Sequence, residues 1–276
     1  MKPKKWSVTV QWIIIAIMIV ISLLPLYLVL INAFKSHAAI VENPMALPTE
    51  AYWQNFISAW KTGDFGTGFG NSAKLVVVTT LIVLLTSVPA GYVLGTKKFR
   101  AAKGILVYLM MATTVPVQLF LFPLYATLTR LDLVGNLYAV CFIIAAINLP
   151  LSIMLMRTFF MRIPSTIEEA ARIDGASTMQ ALVHIVIPMV RPGLITVTVL
   201  TVLNAWNEYL ISSTFLQGAE NFTVTLNYLS LNGGSVTFDQ GMKMAGALMI
   251  IVPILIFFLS LQKYFVDGMT NGAVKE

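Results

Sequence analysis

Long runs of apolar residues are the feature that most limits how this chain can fold. Six stretches are long enough to cross a membrane: about 12–34, 73–95, 104–127, 135–156, 191–213 and 244–262. A helix needs about 20 apolar residues to span the roughly 30 Å hydrocarbon core of a bilayer. Apolar residues make up 58% of the chain and charged residues 11%, against roughly 45–50% and about 25% in soluble domains. The sequence therefore predicts an all-α integral membrane protein with six transmembrane helices.

The first apolar stretch follows a short basic start, MKPKKW. It is longer than the apolar region of about 7–15 residues in a signal peptide, so we expect a retained first span. No repeat and no soluble domain is visible between the spans, which predicts a single transmembrane domain over residues 1–276. Prolines within or near the spans predict kinks, because neighbouring helices satisfy the freed carbonyls. They are Pro25, Pro89, Pro116, Pro123, Pro150 and Pro253.

The distribution of Lys and Arg between the spans predicts the orientation of the chain. Thirteen of these residues fall on the side that carries both termini and the 157–191 segment, and five fall on the other side. Because cytoplasmic loops are enriched in Lys and Arg, the termini, the 157–191 segment and the 263–276 tail are predicted to be cytoplasmic. The net charge of +6 is thus a topology signal, and no basic block with interleaved aromatics suggests nucleic-acid binding.

Residues 163–188 form the longest polar interruption on the predicted cytoplasmic side. The segment contains two capping boxes, a turn glycine and a helix-ending proline. These are Ser165 with Glu168, Ser177 with Gln180, Gly175 and Pro188. The pattern predicts a helix, a left-handed glycine turn and a second short helix outside the lipid.

The first of these helices places Ile167, Ala170, Ala171 and Asp174 on one predicted face. One interpretation is an amphipathic linker that lies at the membrane surface. The other is a docking element that enters a groove on a cytoplasmic partner.

The residues of this segment resemble a known signature. Glu169-Ala170-Ala171, three residues, Gly175, nine residues and then Ile185-Val186-Ile187-Pro188 is similar to the EAA motif of bacterial ABC importer permeases, with Ile187 for the usual Leu. The fifth-span sequence WNEY at 206–209 and the tail QKYFVDGMTNGAVKE from Gln262 resemble the carbohydrate-uptake class. Within that class, the chain looks like the smaller, maltose-type permease subunit.

This resemblance implies a role for the 163–188 segment as a coupling helix held in a cleft of a separate ATPase subunit. The residues carried over to the coupling contact are Glu169, Ala170, Ala171, Asp174, Gly175 and Pro188. Glu169 is the implied partner of a basic ATPase residue, and the role of Asp174 is open. The resemblance also assigns a regulatory contact with the ATPase to the tail residues Gly272, Ala273 and Val274.

The sequence contains no motif for catalysis or for a bound cofactor. No Gly-Lys pair is followed by Ser or Thr, so the phosphate-binding loop of an ATPase is missing. The resemblance places ATP and magnesium on the partner ATPase. His37 and His184 fall on opposite predicted sides, and Cys141 is the single cysteine. We expect no enzyme activity, no disulfide, no metal site and no cofactor in this chain.

Glu208 is the most informative charge within a predicted span. It lies about 25 Å from the cytoplasmic end of the fifth span, at the usual rise of about 1.5 Å per residue. An ionisable residue at such a depth is a functional candidate by default. The candidate substrate pathway comprises Asn204, Trp206, Asn207, Glu208 and Tyr209, whose amides, carboxylate and rings suit sugars. The alternative is an interfacial aromatic belt with a hydrated Glu208. Gln118 and Asn148 are weaker candidates, because amides also join helices to each other.

Together these features predict a permease subunit of an ATP-driven ABC importer for sugars or oligosaccharides in the bacterial cytoplasmic (inner) membrane. The implied partners are a second permease subunit in a heterodimer, an ATPase dimer, an extracytoplasmic solute-binding protein, the sugar and membrane lipid. Three alternatives stay open: an ABC permease for a polyol or glycerol phosphate, an ion-driven secondary transporter, and a structural membrane subunit.

Overall fold

The computed structural model describes residues 5–96, 99–233 and 239–273, and every regular element in these ranges is helical. The α-helices are α1 (Lys5–Ala33), α2 (His37–Glu42), α3 (Gln54–Thr62), α4 (Phe65–Thr96), α5 (Ala102–Thr114), α6 (Leu121–Arg130), α7 (Leu137–Phe160), α8 (Ser165–Ile173), α9 (Thr178–Ala181), α10 (Ile187–Met189), α11 (Arg191–Trp206), α12 (Leu210–Phe215), α13 (Val224–Gly233) and α14 (Gln240–Ala273). Short 3₁₀ turns lie at Val117–Phe120 and Ala219–Asn221, and a π turn lies at Leu182–Val186. The all-helical prediction is confirmed for these residues.

Four helices in the described ranges are long and apolar enough to cross a membrane: α1, α4, α7 and α14. Two more candidates are pairs of shorter helices that bend at a break, Ala102–Thr114 with Val117–Arg130 at 91° and Thr178–Met189 with Arg191–Trp206 at 76°. The count is therefore four straight helices, or up to six spans if each bent pair crosses as one. The predicted third and fifth spans are not single straight helices.

The break in the third candidate span has a local cause at Pro116. The residue before a proline is displaced from the helical region, and Val115 is extended at φ −80°, ψ 122°. Because of this, α5 ends at Thr114 and a 3₁₀ turn begins after Pro116. Other prolines predicted to kink spans rather than form loops lie inside helices; they are Pro25, Pro89, Pro150 and Pro253.

The contacts of the chain group it into two compact units, which we describe separately. The first unit comprises Met1–Gly66 and Asn227–Pro253. In it, Asn55 of α3 closes the C-terminal end of α1, because its Nδ2 donates to Ala33 O at 2.9 Å and to Lys35 O at 2.8 Å. The prediction of a single domain stays a prediction.

The second unit comprises Thr67–Leu226 and Ile254–Glu276 and contains two buried apolar clusters. One cluster surrounds Cys141 and Ile144 of α7 and Phe215 of α12. The other cluster includes residues from three long helices: Val83, Val88 and Tyr92 of α4, Met156 and Phe160 of α7, and Val197 of α11. It also includes Leu182 and Val186 of the 163–188 segment and Val190, which follows that segment. This second cluster joins the polar segment to three long helices, and we name it the linking core.

Two glycines let α4 and α7 approach each other beside the linking core. A Cβ at Gly91 would lie 2.6 Å from Met156 Cβ, and one at Gly95 would lie 3.0 Å from Arg157 O. The Arg157 Nε also donates to Leu94 O at 3.2 Å. Small residues spaced by four are a common device for close helix packing in membranes. The sequence analysis missed this contact, although the glycine spacing was visible.

The first long helix has little contact with the rest of the chain along most of its length. The most apolar window of Val8–Ala33 has a mean hydropathy of 3.0 and contains no buried residue. A helix that is apolar on all sides needs an apolar environment around it. Lipid or another protein chain must therefore cover α1.

Candidate functional site

The polar segment begins with α8, whose start differs from the prediction. Pro164 is the N-cap, with φ −60° and ψ 135°, and it makes no side-chain capping hydrogen bond. Ser165 is the first helical residue, so the predicted capping box of Ser165 with Glu168 is wrong. Proline fixes the backbone at helix entry without a side-chain cap, because its φ already suits that position. Glu168 still lies in the first turn, where its charge favours the helix dipole.

The glycine turn after α8 is formed as predicted. Gly175 has φ +85°, and the Ala176 N–H donates to Ala171 O at 2.9 Å. The Gly175 N–H donates to Arg172 O at 3.0 Å. These two bonds form a Schellman motif, which requires the left-handed conformation. A Cβ on Gly175 would meet no atom within 4 Å, so backbone conformation and not space selects glycine here.

The second helix starts at the predicted capping box. Ser177 Oγ accepts from the Gln180 N–H at 3.3 Å, and Gln180 Oε1 accepts from the Ser177 N–H at 2.8 Å. The helical path then runs through the π turn into α10 and ends at Met189, one residue beyond Pro188. The π turn ends two residues before Pro188, which has no N–H to donate to the preceding turn. The path turns by 76° into α11.

One side of this segment is fixed to the body of the second unit. Leu182, Val186 and Val190 are buried in the linking core, where they share a cluster with Met156 and Phe160 of α7. Packed cores are close to rigid and transmit displacement. The segment is therefore packed against residues of α4, α7 and α11.

The other side of the segment is exposed, and its composition differs from the predicted face. Glu169, Ala170 and Asp174 are exposed, and Ile173 and Met179 present apolar side chains that are 86% and 67% exposed. We name these five exposed residues, which belong to α8, its C-cap and α9, the α8 face. Strongly exposed large apolar side chains next to charges are typical of protein interaction sites. The sequence analysis missed Ile173 and Met179, although both are apolar residues within a polar segment.

One member of the predicted coupling set, Ala171, does not share that exposure pattern. Ala171 is 5% exposed, so its side chain faces the chain itself, and its contact with a partner stays a prediction. The helix α8 is in contact with α9. Ile167 is half-buried, whereas Gly175 and Pro188 are exposed.

The tail residues predicted to contact an ATPase lie at the limit of the described chain. Gly272 and Ala273 are the last residues of α14. Val274 lies outside the described residues.

In the described ranges, no group of three or more His, Cys, Asp or Glu side chains is placed to hold a metal ion.

The predicted pathway sequence WNEY coincides with a break between α11 and α12. Glu208 lies in this break, and its carboxylate accepts from the N–H groups of Ile211 and Ser212 and from Ser212 Oγ. The Ser212 bonds measure 2.8 and 2.6 Å. Glu208 thus satisfies the free N–H groups at the start of α12, as capping side chains do. Both of its oxygens serve the fold.

The other pathway candidates differ in their exposure. Asn204, Asn207 and Tyr209 are exposed. Trp206 is half-buried, its ring centroid lies 6.0 Å from that of Phe69, and its Nε1 is buried without a hydrogen-bond partner in the described residues. The structure therefore leaves the two amides and the tyrosine available at the surface and turns Trp206 and Glu208 toward the fold.

Comparison of the sequence with known proteins gives one family and several relatives. The model of the binding-protein-dependent transport system inner membrane component family matches residues 87–271. The chain is 31% identical to the probable ABC transporter permease protein YurM of Bacillus subtilis, over 99% of this chain and 92% of that protein. It is 29% identical to the arabinooligosaccharides transport system permease protein AraQ of Halalkalibacterium halodurans, over 98% of this chain and 96% of that protein.

Comparison of the structure gives a similar fold. A chain from the crystal structure of a bacterial ABC transporter that imports the acidic polysaccharide alginate superposes with a TM-score of 0.81. The alignment covers 96% of this chain and 98% of that chain at 23% sequence identity. The two chains therefore share their fold.

Proposed function

Because the chain belongs to the family of binding-protein-dependent transport system inner membrane components, we propose that it is the permease subunit that moves sugars or oligosaccharides in an ABC importer. A permease of this family works with a separate ATPase and a solute-binding protein. The sugar class is supported by the name of the relative AraQ and by the alginate substrate of the importer with the similar fold.

The coupling of ATP hydrolysis to this chain would occur at the α8 face. Glu169, Ala170 and Asp174 supply polar and small surface, and Ile173 and Met179 supply apolar anchors. An amphipathic helix that lays such a surface into a groove is a common mode of docking. The observation that carries this proposal is the exposed α8 face on a segment whose later residues, Leu182 and Val186, are buried in the linking core. Gly175 and Pro188 would shape the segment, and Gly272, Ala273 and Val274 would add a second contact.

In the assembled importer, we infer six spans with both termini cytoplasmic, so that α8 faces the ATPase. The chain would pair with a second, related permease subunit, which would help to cover the apolar surface of α1. ATP and magnesium would bind to the ATPase dimer. The solute-binding protein would deliver sugar on the opposite side of the membrane.

The mechanism is alternating access driven from outside the chain. Closure of the ATPase dimer on ATP would displace α8 and the turn at Gly175. Leu182, Val186 and Val190 would pass this displacement to α4, α7 and α11 through the linking core. Rigid helices that move against each other change which side of the membrane the substrate path opens to. This chain contributes part of the substrate path and passes the movement of the ATPase to the spans, and ATP hydrolysis by the ATPase supplies the free energy.

The test is sugar uptake by the complete transporter in proteoliposomes. ATP is supplied on the side of the membrane that carries the ATPase, and all ion gradients are collapsed by ionophores. We expect uptake that depends on ATP and on the ATPase subunit. Uptake that persists without the ATPase, or that requires an ion gradient, would contradict the proposal and support a secondary transporter.

A further inference from the structure

An open pocket lies at the C-terminal end of α1. It has a volume of about 440 Å³, within the range of about 300–1,000 Å³ for small-ligand sites. Its lining residues all fall between positions 35 and 52, a stretch that follows α1 and contains α2. This stretch lies entirely within the first compact unit. The predicted orientation of the chain places it outside the cytoplasm, directly after the first span.

Two hydrogen bonds attach the walls of the pocket to α1 and its end. Asn32 Nδ2 on α1 donates to Pro44 O at 3.0 Å. The Tyr52 N–H donates to Phe34 O at 3.0 Å. The 43–52 loop is thus fixed near both of its ends, so a ligand would need to order little additional chain on binding.

The ammonium group of Lys35 lies in the wall of this pocket. Lys35 is only 4% exposed, although lysine is almost never fully buried unless it is paired. Its Nζ donates to Asn43 O at 2.9 Å, and within the described ranges it has no second hydrogen bond and no ion pair. An ammonium group has three N–H donors, so two remain for a ligand. An anionic oxygen would satisfy these donors and compensate the buried charge.

Two carboxylates line the same pocket. Glu42 is the last residue of α2, Glu50 lies in the loop that follows, and both are exposed. Among the described residues, neither carboxylate forms an ion pair with Lys35. A purely anionic ligand would be repelled by the carboxylates, and a purely cationic ligand would be repelled by Lys35. The charges of the pocket therefore suit a zwitterion.

The chain around the pocket has the composition of a segment at a membrane interface. Lys35 lies two residues beyond the end of α1, so the pocket begins where the candidate span Val8–Ala33 ends. Tyr and Trp are enriched at the boundary between membrane and water, where apolar side chains also enter the headgroup region. Five such side chains are exposed beside or in the pocket: Val41, Met45, Leu47, Tyr52 and Trp53. Zwitterionic lipid headgroups are the ligands present at this depth.

We infer that this pocket binds the headgroup of phosphatidylethanolamine from the outer leaflet of the membrane. The phosphate oxygens would accept from Lys35 Nζ, and the primary ammonium group of the lipid would donate to Glu42 and Glu50. A choline headgroup has no N–H to donate to these carboxylates, and phosphatidylglycerol has no cation to offer them. A bound lipid would hold the 43–52 loop at the membrane surface. The inference does not depend on which solute the transporter moves.

The test is native mass spectrometry of the full-length chain, stripped of lipid in detergent and titrated with one phospholipid at a time. The probes are dioleoyl phosphatidylethanolamine, phosphatidylcholine and phosphatidylglycerol. Lys35→Met removes the ammonium group, Lys35→Arg keeps the charge, and Glu42→Gln combined with Glu50→Gln removes both negative charges. Lys61→Met is the control, because Lys61 is an exposed lysine of α3 on the same predicted side and does not line the pocket.

We expect the wild-type chain to bind phosphatidylethanolamine more tightly than either other lipid. Lys35→Met should weaken this binding roughly tenfold or more, the range for a hydrogen bond to a charged group, whereas Lys35→Arg should retain most of it. The double glutamate variant should lose the preference for phosphatidylethanolamine over phosphatidylglycerol. Lys61→Met should bind all three lipids as the wild type does.

Two results would overturn the inference. Equal binding of the three lipids, or a preference that no pocket variant changes, would mean that lipid binds only as a nonspecific shell. Loss of solute-binding protein binding in Lys35→Met, with lipid binding unchanged, would assign the pocket to a protein contact. If Lys35→Met does not fold, the double glutamate variant decides, because both of its substitutions are at exposed positions.

Discussion

Gly175 combines a φ of +85° with two hydrogen bonds that close the end of α8. A residue with a side chain pays roughly 1–2 kcal/mol for the left-handed conformation, and a β-branched one more. Because the space around Gly175 is open, the strain comes from the backbone alone. The direction in which α9 leaves α8 depends on this single residue.

The first prediction concerns Gly175→Val. We expect insertion of the spans to continue, while co-purification with the ATPase and ATP-driven uptake fall several-fold, because the turn no longer presents the α8 face. Gly175→Asn should retain more activity, since Asn tolerates this conformation. The control is Gly104→Val, at a glycine with no atom within 4 Å of its Cβ position and no positive φ. Wild-type uptake by Gly175→Val would show that the left-handed turn at Gly175 is not required for coupling to the ATPase.

At the scale of elements, features set by neighbouring residues were predictable and features set by packing were not. The capping box at Ser177 and the turn at Gly175 follow from a few adjacent side chains. The burial of Ala171 and the position of Glu208 in the helix break after Trp206 both arise in the folded chain. Neither is visible in hydropathy. The break at Pro116 could have been predicted, because the residue before a proline avoids the helical region.

The second prediction concerns the crossing of α4 and α7. In Gly91→Val, the added Cβ would lie 2.6 Å from Met156 Cβ, which is too close, and the two methyl groups would add to the clash. Overpacking of this kind typically costs about 1–3 kcal/mol, so the apparent Tm of the detergent-purified chain should fall by several degrees. Gly70→Val on the same helix is the matched control, because nothing lies within 4 Å of its Cβ position. An equal Tm for both variants would mean that α4 and α7 do not cross here.

At the scale of the whole molecule, a contact between α8 and an ATPase requires that the 163–188 segment lie on the cytoplasmic side of the membrane. The excess of Lys and Arg on one side predicts that the 163–188 segment and both termini are cytoplasmic. The apolar surface of α1, the bent pair of Ala102–Thr114 with Val117–Arg130, and α11 would then lie in the membrane, against lipid or a second permease chain. Composition predicted the membrane class and most span positions, but it could not distinguish a straight span from a bent pair.

The third prediction follows from this orientation. A green fluorescent protein fused after Glu276 should fluoresce, and alkaline phosphatase at the same position should be inactive, because each enzyme or fluorophore matures on only one side of the membrane. Phosphatase fused in the 43–50 loop should be active. Active phosphatase at the C-terminus would mean that the topology is the reverse of the predicted one. The helix α8 would then lie on the side of the membrane opposite to the ATPase.

The central claim is that α8 couples this chain to a cytoplasmic ATPase, and cross-linking of Ile173 tests it most directly. In a Cys141→Ser background, Ile173→Cys and Leu131→Cys each introduce a single thiol at an exposed apolar position, 86% and 61% exposed in the wild type. In the assembled transporter, we predict that a short cross-linker with a maleimide at one end and a photoreactive diazirine at the other joins Ile173→Cys, but not Leu131→Cys, to the ATPase. An Ile173→Cys variant that forms no such product, or that reacts with an impermeant maleimide from outside intact cells, would contradict the account.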